Sequence, residues 1–282
     1  MTLSRQADGH FDELRGGTLG VRLARDAAEI AAAQALRYAV FYDEMGAVPD
    51  AAAIASRLDV DRYDAVADHL VVLDHGDGSD LPPFAKPPFV KPRVVATYRM
   101  IDKAAAGRIG QFYSADEYDI APLLAFPGNV LEVGRSCVHP DYRGRQAMQL
   151  LWTGIAAYIA RRRIDVLFGC ASLHGTDPDR IAAELTYLSS HHLAPPELRP
   201  RAIPSRYVEM RRIDPASLDP RRVLVRLPPL IKGYLRLGGF VGDGAVIDTQ
   251  FNTTDVAIVV RTDLVTERYQ RHYERGTAGD HN

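Results

Sequence analysis

The stretch LEVGRSCVHPDYRGRQAMQLLWTGIAAYI, residues 131–159, decides the fold of this chain. It begins as an apolar strand with a glycine in its middle, turns at His139-Pro140, and passes through a basic turn at 142–145. Apolar residues at helical spacing then predict a long helix over 146–162, and the apolar run at 165–172 predicts a buried strand. The segment therefore predicts a strand–helix–strand unit.

The flanking sequence predicts a mixed α/β (α+β) protein. Further strands are predicted over 19–24, 69–74, 94–101, 130–138, 205–210 and 256–261, and further helices over 51–58, 115–125, 179–190, 262–274 and the stretch capped by Asp26. Segments rich in proline at 76–92 and 193–204 are predicted as connections. We expect one domain over 19–275, with a C-terminal extension from about 205, between a loose arm at 1–18 and a tail at 276–282.

The composition is that of a soluble globular protein, with 46% hydrophobic and 25% charged residues among 282. The net charge of −2 gives no indication of a nucleic-acid partner. No run approaches the roughly 20 apolar residues that span a bilayer, and the N-terminus has no apolar stretch of signal-peptide length. Cys137 and Cys170 are too few for a disulfide framework, and the nine histidines form no zinc-type cluster. We expect a cytoplasmic protein without a metal site.

The order of strand, turn, basic loop and helix in 131–159 resembles the core of GNAT acyltransferases. The resemblance implies a mixed central sheet with flanking helices and a splayed strand pair, where the pantetheine arm of a thioester donor pairs with an exposed strand edge. It also implies that the loop and the helix N-terminus hold phosphate through backbone N–H groups. Donor contacts are then expected from Ser136, Cys137 and Val138 and from Arg143, Gly144 and Arg145.

The loop departs from the GNAT pattern in an informative way. Arg143 fits its first position, but Gln146 and Met148 stand where two small residues are expected. Small residues allow the backbone to wrap a pyrophosphate closely, and larger ones crowd that approach. The departure favours a phosphopantetheine arm carried by acyl carrier protein over coenzyme A, so no cofactor is expected to be bound permanently.

Four ordered blocks, at 36–46, 58–72, 94–100 and 131–138, resemble acyl-homoserine-lactone synthases and their relatives, the ornithine N-acyltransferases of ornithine-lipid synthesis. The matching polar positions are Arg37, Phe41, Asp61, Asp64, Arg99, Glu132 and Arg135. The stretch at 228–260 is similar to the ornithine-acylating branch. The resemblance covers about 20–275 and implies transfer of a 3-hydroxy fatty acyl group to the α-amine of ornithine, giving lyso-ornithine lipid.

Glu132 and Arg135 are the candidate catalytic residues. Acyl transfer to an amine needs a proton acceptor, and a carboxylate in the apolar strand around Glu132 would be partly desolvated. The alternative is a structural salt bridge from Glu132 to Arg135 or Arg99. A bulge at Gly134 would break the strand alternation and free backbone N–H groups near Ser136–Val138 for the oxyanion. Cys137 is a weaker candidate nucleophile because no histidine partner is evident.

Acceptor binding is assigned by the resemblance, and docking of the carrier protein by charge. Arg99 or Arg135 could pair with the ornithine carboxylate and Asp248 or Asp255 with its side-chain ammonium, although Arg37, Asp61 and Asp64 could equally form a structural ion network. Carrier proteins are acidic, so basic docking surfaces are expected, at Arg161, Arg162 and Arg163 or at 221–237. The latter, interleaved with apolar residues, could instead rest on the inner membrane surface or form an ordinary amphipathic helix.

Several alternative functions stay open. Another amino acid could be the acceptor, or acyl-CoA the donor. The same fold could also serve as a non-catalytic module that binds acyl carriers, or as a membrane-surface protein that uses 221–237.

Overall fold

A computed structural model of the chain describes residues 11–76 and 92–263. The strands in these residues are β1 (Leu14–Gly16), β2 (Leu19–Leu23), β3 (Asp68–Asp74), β4 (Arg93–Asp102), β5 (Tyr118–Asp119), β6 (Val130–Val138), β7 (Val166–His174), β8 (Arg201–Ala202), β9 (Phe240–Asp248) and β10 (Thr253–Arg261). The α-helices are α1 (Ala27–Tyr38), α2 (Ala51–Ser56), α3 (Lys103–Ile109), α4 (Ala121–Ala125), α5 (Arg145–Arg162), α6 (Ala182–His191), α7 (Pro220–Arg226) and α8 (Pro229–Arg236). Predictions for 1–10, 77–91 and 264–282, including most of the closing helix and the whole tail, fall outside the described residues.

The chain divides into two compact units, where the sequence predicts one domain over 19–275. The first unit contains the described residues up to Met100 together with Arg135–Arg163. The second unit contains Ile101–Gly134 and the described residues from Ile164 onward. Strand β6 therefore contributes its first half to the second unit and its second half to the first.

The first unit is built on an antiparallel sheet in which β1, β2, β3 and β4 are successive neighbours. The second half of β6 lies beside β4, and the His139 N–H donates to the Val95 carbonyl at 2.8 Å. Helix α5 packs closely on this sheet: a Cβ added at Gly154 would lie only 2.7 Å from the Val21 side chain. Pairing of β1 with β2 corrects the predicted loose arm, since Leu14–Gly16 belong to the sheet.

The second unit contains a mixed sheet. The first half of β6 pairs in parallel with β7, while β10 pairs antiparallel with both β7 and β9. Strand β8 then pairs in parallel with β9 and antiparallel with β5. The expected mixed sheet with flanking helices is confirmed.

The observed structure differs from the sequence-based expectations in four places. The predicted helix at 115–125 is a 3-10 turn at Tyr113–Asp116, strand β5 and helix α4. The predicted strand at 205–210 forms one isolated bridge, between Val208 and Ala245. Strand β9 was not predicted, because Gly242, Asp243 and Gly244 interrupt its alternation. Pro228 and Pro229 divide 221–237 into α7 and α8, because proline suits the first turn of a helix and not its interior.

Candidate active site

The predicted break in β6 is present one residue later than expected. Arg135 adopts φ = 52°, in the left-handed region, whereas Gly134 does not have positive φ. A non-glycine residue in this region costs about 1–3 kcal/mol and persists where surrounding contacts hold it. Parallel pairing of β6 with β7 is registered from Val130 to Glu132, opposite Val166 to Phe168, and ends there. The strand is therefore irregular at the position where the sequence predicted splaying.

Arg37 is the centre of a buried ion network in the first unit. Its Nε donates to Asp59 Oδ2 at 2.7 Å, and its Nη1 and Nη2 donate to the two oxygens of Asp64 at 2.8 and 2.9 Å. Burial disfavours the charge on Asp64, but the hydrogen bonds and charge of Arg37, together with Arg99, outweigh it and hold the Asp64 pKa well below its usual range. This arrangement is the structural ion network that the sequence left open for Arg37 and Asp64.

Arg99 and Arg135 join the same network. Arg99 Nη1 lies 2.6 Å from Asp61 Oδ1, and Arg135 Nη2 lies 3.3 Å from Asp61 Oδ2. Arg135 Nε lies 3.2 Å from Asp59 Oδ2, so two aspartates hold the residue with the left-handed backbone. Arg99 is almost fully buried. The roles of Arg99 as a carboxylate ligand and of Arg135 in catalysis stay predictions.

Glu132 is buried in the second unit and accepts hydrogen bonds from Tyr113 and Ser114. Its Oε2 accepts from the Tyr113 N–H at 2.7 Å, and its Oε1 accepts from the Ser114 N–H at 2.6 Å and the Ser114 hydroxyl at 2.5 Å. A carboxylate offers about four acceptor positions, so these donors use most of its capacity. Glu132 thus anchors the 3-10 turn at Tyr113–Asp116.

Three buried carboxylates meet in the second unit: Glu117, Asp248 and Asp255. One oxygen of each lies within 4.8 Å of the others. Burial, followed by the charge of Asp255, raises the pKa of Glu117 to about 7, although contacts with Cys170 and Arg206 oppose the rise. Asp248 and Asp255 were predicted as acceptor ligands, but Glu117 was not. Its run SADEYD, at 114–119, has the composition of a solvated turn, so the sequence carries little signal for its burial.

An apolar pocket lies beside these carboxylates within the second unit. It is small and partly open to solvent. Its lining includes Val133, Phe168, Gly169, Cys170, Tyr234 and Ile258. Cys170 joins the pocket to the carboxylates, because its Sγ lies 3.2 Å from Glu117 Oε2. A Cβ at Gly169 would lie 2.1 Å from the Val133 carbonyl oxygen, so glycine is required where β7 approaches β6.

The predicted phosphate loop lies in the first unit, where Gly144 caps the N-terminus of α5. Arg143 makes a two-pronged salt bridge to Glu44, at 2.5 and 2.6 Å, and would have to leave it in order to bind phosphate. The side chain of Arg145 lies outside the part that the structure describes. Of the predicted docking arginines, Arg161 and Arg163 are exposed, whereas Arg162 lies 3.5 Å from Asp68.

The two cysteines are free thiols. Cys137 packs in a buried cluster of the first unit that includes Leu36, Val71 and Val94. Burial raises its pKa to about 12, so it is protonated near neutral pH and unsuited to nucleophilic attack.

Among residues 11–76 and 92–263, no helix is long and apolar enough to cross a bilayer.

Comparison with known proteins defines the class. The family model described as "Acetyltransferase (GNAT) domain" matches residues 36–153. A solved N-acyl amino acid synthase from uncultured soil microbes is 14% identical, with a TM-score of 0.44, and covers 89% of this chain and 92% of its own. The chain therefore contains a GNAT-type domain over residues 36–153.

Two curated relatives give a narrower assignment. The L-ornithine N(alpha)-acyltransferase of Rhodobacter capsulatus is 46% identical over 259 residues, which cover 92% of this chain and 96% of the relative. The enzyme of the same name from Brucella abortus is 43% identical over 261 residues, covering 92% and 90%. The chain belongs to the L-ornithine N(alpha)-acyltransferase family, and it is an N-acyltransferase.

Proposed function

We propose that this enzyme transfers a 3-hydroxy fatty acyl group from acyl carrier protein to the α-amine of ornithine, giving lyso-ornithine lipid. One observation carries the proposal. In the second unit an apolar pocket and a group of buried carboxylates adjoin at Cys170. An acyl chain requires an apolar cavity, and the side chain of ornithine requires negative charge. The name of the relatives, which specifies the α-nitrogen of ornithine, supports the same acceptor.

The proposed chemistry is direct attack of the amine on the thioester. The α-ammonium first loses a proton, and the neutral nitrogen then attacks the thioester carbonyl carbon. An N–C bond forms and the C–S bond breaks, the nitrogen gives up its second proton to the departing sulfur, and the carrier leaves as its free thiol. We assign the proton to Glu132, by way of the Ser114 hydroxyl that donates to it. Backbone N–H groups of Ser136–Val138, beyond the break in β6, are the proposed donors to the oxyanion.

The carrier-protein donor is supported by the first turn of α5. Gln146 and Met148 occupy positions where a coenzyme A pyrophosphate favours small residues. A carrier-bound phosphopantetheine has a single phosphodiester, which the first N–H groups of an 18-residue helix can accommodate. The exposed arginines Arg161 and Arg163, at the other end of α5, are the proposed docking contacts for an acidic carrier.

A peripheral position on the inner membrane is the second part of the proposal. Helix α7 exposes Val225 and part of Leu224 beside Arg221 and Arg222. Exposed apolar and basic side chains on one short helix are typical of surfaces that rest on anionic lipid. A single-chain acylated product is itself amphiphilic, so this position would ease its release.

A comparison of donors and acceptors tests the proposal. Purified protein is incubated with 3-hydroxyacyl carrier protein or the matching acyl-CoA, and with ornithine, lysine, glutamine or homoserine, and products are identified by mass spectrometry. We expect N-acylornithine from the carrier-bound donor, with the other acceptors at least tenfold slower. Faster acylation from acyl-CoA would show that acyl carrier protein is not the preferred donor. Absence of acylation with every pair would indicate a non-catalytic binding module.

Replacement of Glu132 tests its role. Glu132→Gln should slow turnover by about 10²-fold or more, the contribution typical of a general base. Because Glu132 also anchors Tyr113 and Ser114, Ser114→Ala is the companion variant, which removes only the hydroxyl route to the carboxylate. Full activity in both variants would exclude this route.

A further inference from the structure

We propose that Glu117, Asp248, Asp255 and the hydroxyl of Thr253 form a cation site that takes the side-chain ammonium of a basic amino acid. Glu117 and Thr253 are thereby assigned as specificity-determining residues. The inference rests on the proposed function, because it concerns the acceptor of that reaction.

The negative charge of the cluster suits a cation. Three carboxylates, each less than one-tenth exposed, bring one oxygen apiece within 4.8 Å of the others. Arg206 lies 3.4 Å from Glu117 Oε1, but about a third of its side chain is open to solvent. Like charges this close in a buried place repel strongly unless protons or a ligand neutralise them. A further positive group at this position would stabilise the ionised cluster.

Thr253 provides a second and independent indication of a ligand. Its side-chain oxygen is buried and has no hydrogen-bond partner among the residues that the structure describes. On β10 it lies directly opposite Asp248 of β9 and two residues before Asp255. Cross-strand partners and residues two apart project from the same face of a sheet, so the Thr253 hydroxyl shares the face of the carboxylates. A buried hydroxyl without a partner is destabilising, and a ligand that bonds to it removes the cost.

The surroundings favour an alkylammonium ion over a metal ion. An ammonium group has three N–H donors and no acceptor, which suits a site made of carboxylate and hydroxyl oxygens. Cys170 contacts Glu117 on one side and lines the apolar pocket on the other. An apolar wall next to the charge is suited to methylene groups that carry an ammonium. A divalent cation would use the same oxygens but would usually retain water ligands, for which this wall offers no polar partner.

The test measures binding without an acyl donor. Isothermal titration of the full chain with ornithine, 1,4-diaminobutane and norvaline, which has the chain length of ornithine but no side-chain amine, probes the charge. We expect ornithine and the diamine to bind, and norvaline to bind at least tenfold more weakly. Ornithine binding should be weaker in each of three variants, Asp255→Asn, Glu117→Gln and Thr253→Val, with at least a tenfold loss of affinity in Asp255→Asn. The affinity for norvaline should be unchanged in all three.

The matched control is Glu197→Gln, which removes an exposed carboxylate of the same unit and should bind like the wild type. Because Asp255→Asn and Glu117→Gln remove repulsion from a buried cluster, both should remain folded, and thermal melting checks this. Wild-type ornithine affinity in folded Asp255→Asn and Glu117→Gln would overturn the inference. Binding of Mg²⁺ or Ca²⁺ that is lost in Asp255→Asn, with no binding of ornithine, would replace the ammonium ion by a metal ion.

Turnover separates this inference from the proposed function. If the wild type acylates ornithine and the KM for ornithine is unchanged in all three variants, the cation site is wrong and the reaction stands. If ornithine binding depends on the cluster but no thioester donor yields N-acylornithine, the cation site stands and the proposed reaction fails. The expected result is a rise in KM for ornithine of at least tenfold in Asp255→Asn, with a much smaller change in kcat.

Discussion

Replacement of Arg37 by methionine should destabilise the protein more than any replacement of a surface arginine. Arg37 is fully buried and makes hydrogen bonds to both Asp59 and Asp64, including one to the Asp59 carbonyl. Removal of one partner of a buried ion pair typically costs about 3–5 kcal/mol, because the other charge is left in the interior. After the replacement, Arg135 still lies 3.2 Å from Asp59, and Arg99 still lies 3.3 Å from Asp64. We therefore expect a loss of stability at the lower end of this range, about 3 kcal/mol.

Thermal unfolding measures this loss. For a chain of this size each kcal/mol corresponds to roughly 2–4 °C, so the midpoint should fall by about 6–12 °C. The matched control is Arg25→Met, an exposed arginine of the same unit, which should change the midpoint by less than about 2 °C. If Arg37→Met has the same unfolding midpoint as the control and the wild type, the ion network does not stabilise the fold. Other contacts then hold its charged side chains in position.

Three further perturbations test the second unit. Burial beside Asp255 and Asp248, opposed by Cys170 and Arg206, raises the pKa of Glu117 from 4.5 to about 7, so the folded state holds a proton that the unfolded state releases. Stability should fall as pH rises through this window, and Glu117→Gln should gain about 3 kcal/mol over the wild type between pH 4 and pH 8, measured by denaturant unfolding. Gly169→Ala should cost about 1–3 kcal/mol and reduce turnover, because its Cβ would meet the Val133 carbonyl at 2.1 Å. Tyr234→Leu should shift preference toward longer acyl chains, by up to about fourfold in kcat/KM per added methylene, in competition assays with mixed donors.

Controls in the same unit make these outcomes decisive. Glu197→Gln should leave the pH profile of stability unchanged, since its carboxylate is exposed, and a parallel profile for Glu117→Gln and the wild type would contradict the buried proton. Gly107→Ala, on the exposed face of α3 with no atom within 4 Å of the new Cβ, should be neutral or stabilising. If Gly169→Ala changes stability and turnover no more than Gly107→Ala does, the predicted clash with the Val133 carbonyl is wrong. An unchanged donor preference in Tyr234→Leu would place the acyl chain elsewhere.

Local patterns in the sequence predicted the elements that frame the site. The strand at 130–138 and the helix that follows it are observed within one residue of their predicted bounds. Asp26 caps α1 as expected, with its side chain accepting from the Glu29 N–H at 2.9 Å. These features depend on neighbours a few residues apart, which hydrophobic period and capping chemistry describe well.

Features that depend on distant residues could not be predicted in the same way. Arg143 was assigned to phosphate, but it pairs with Glu44, 99 residues earlier in the chain. The left-handed residue of β6 is Arg135 and not Gly134, because two aspartates hold a conformation that arginine rarely adopts by itself. Pairing with β10 forms β9 in spite of the glycines at 242 and 244. In each case tertiary contacts outweigh local preference.

The carboxylate cluster was half predicted. Asp248 and Asp255 lie seven residues apart near the ends of neighbouring strands, and the resemblance of the C-terminal stretch drew attention to them. Glu117 reaches the cluster from more than 130 residues away, in a run of acids that composition alone places in solvent. Only the fold shows that this carboxylate is buried and that Cys170 lies between it and the apolar pocket.

Transfer of an acyl group from a carrier thioester to the α-nitrogen of ornithine is most directly tested by following both halves of the reaction together. The protein is mixed with 3-hydroxyacyl carrier protein and ornithine, the intact mass of the carrier is monitored, and the lipid product is fragmented in the mass spectrometer. We predict one free carrier thiol for each N-acylornithine, with the acyl group on the α-nitrogen. Release of free fatty acid without N-acylornithine, or acylation confined to the side-chain nitrogen, would contradict the account.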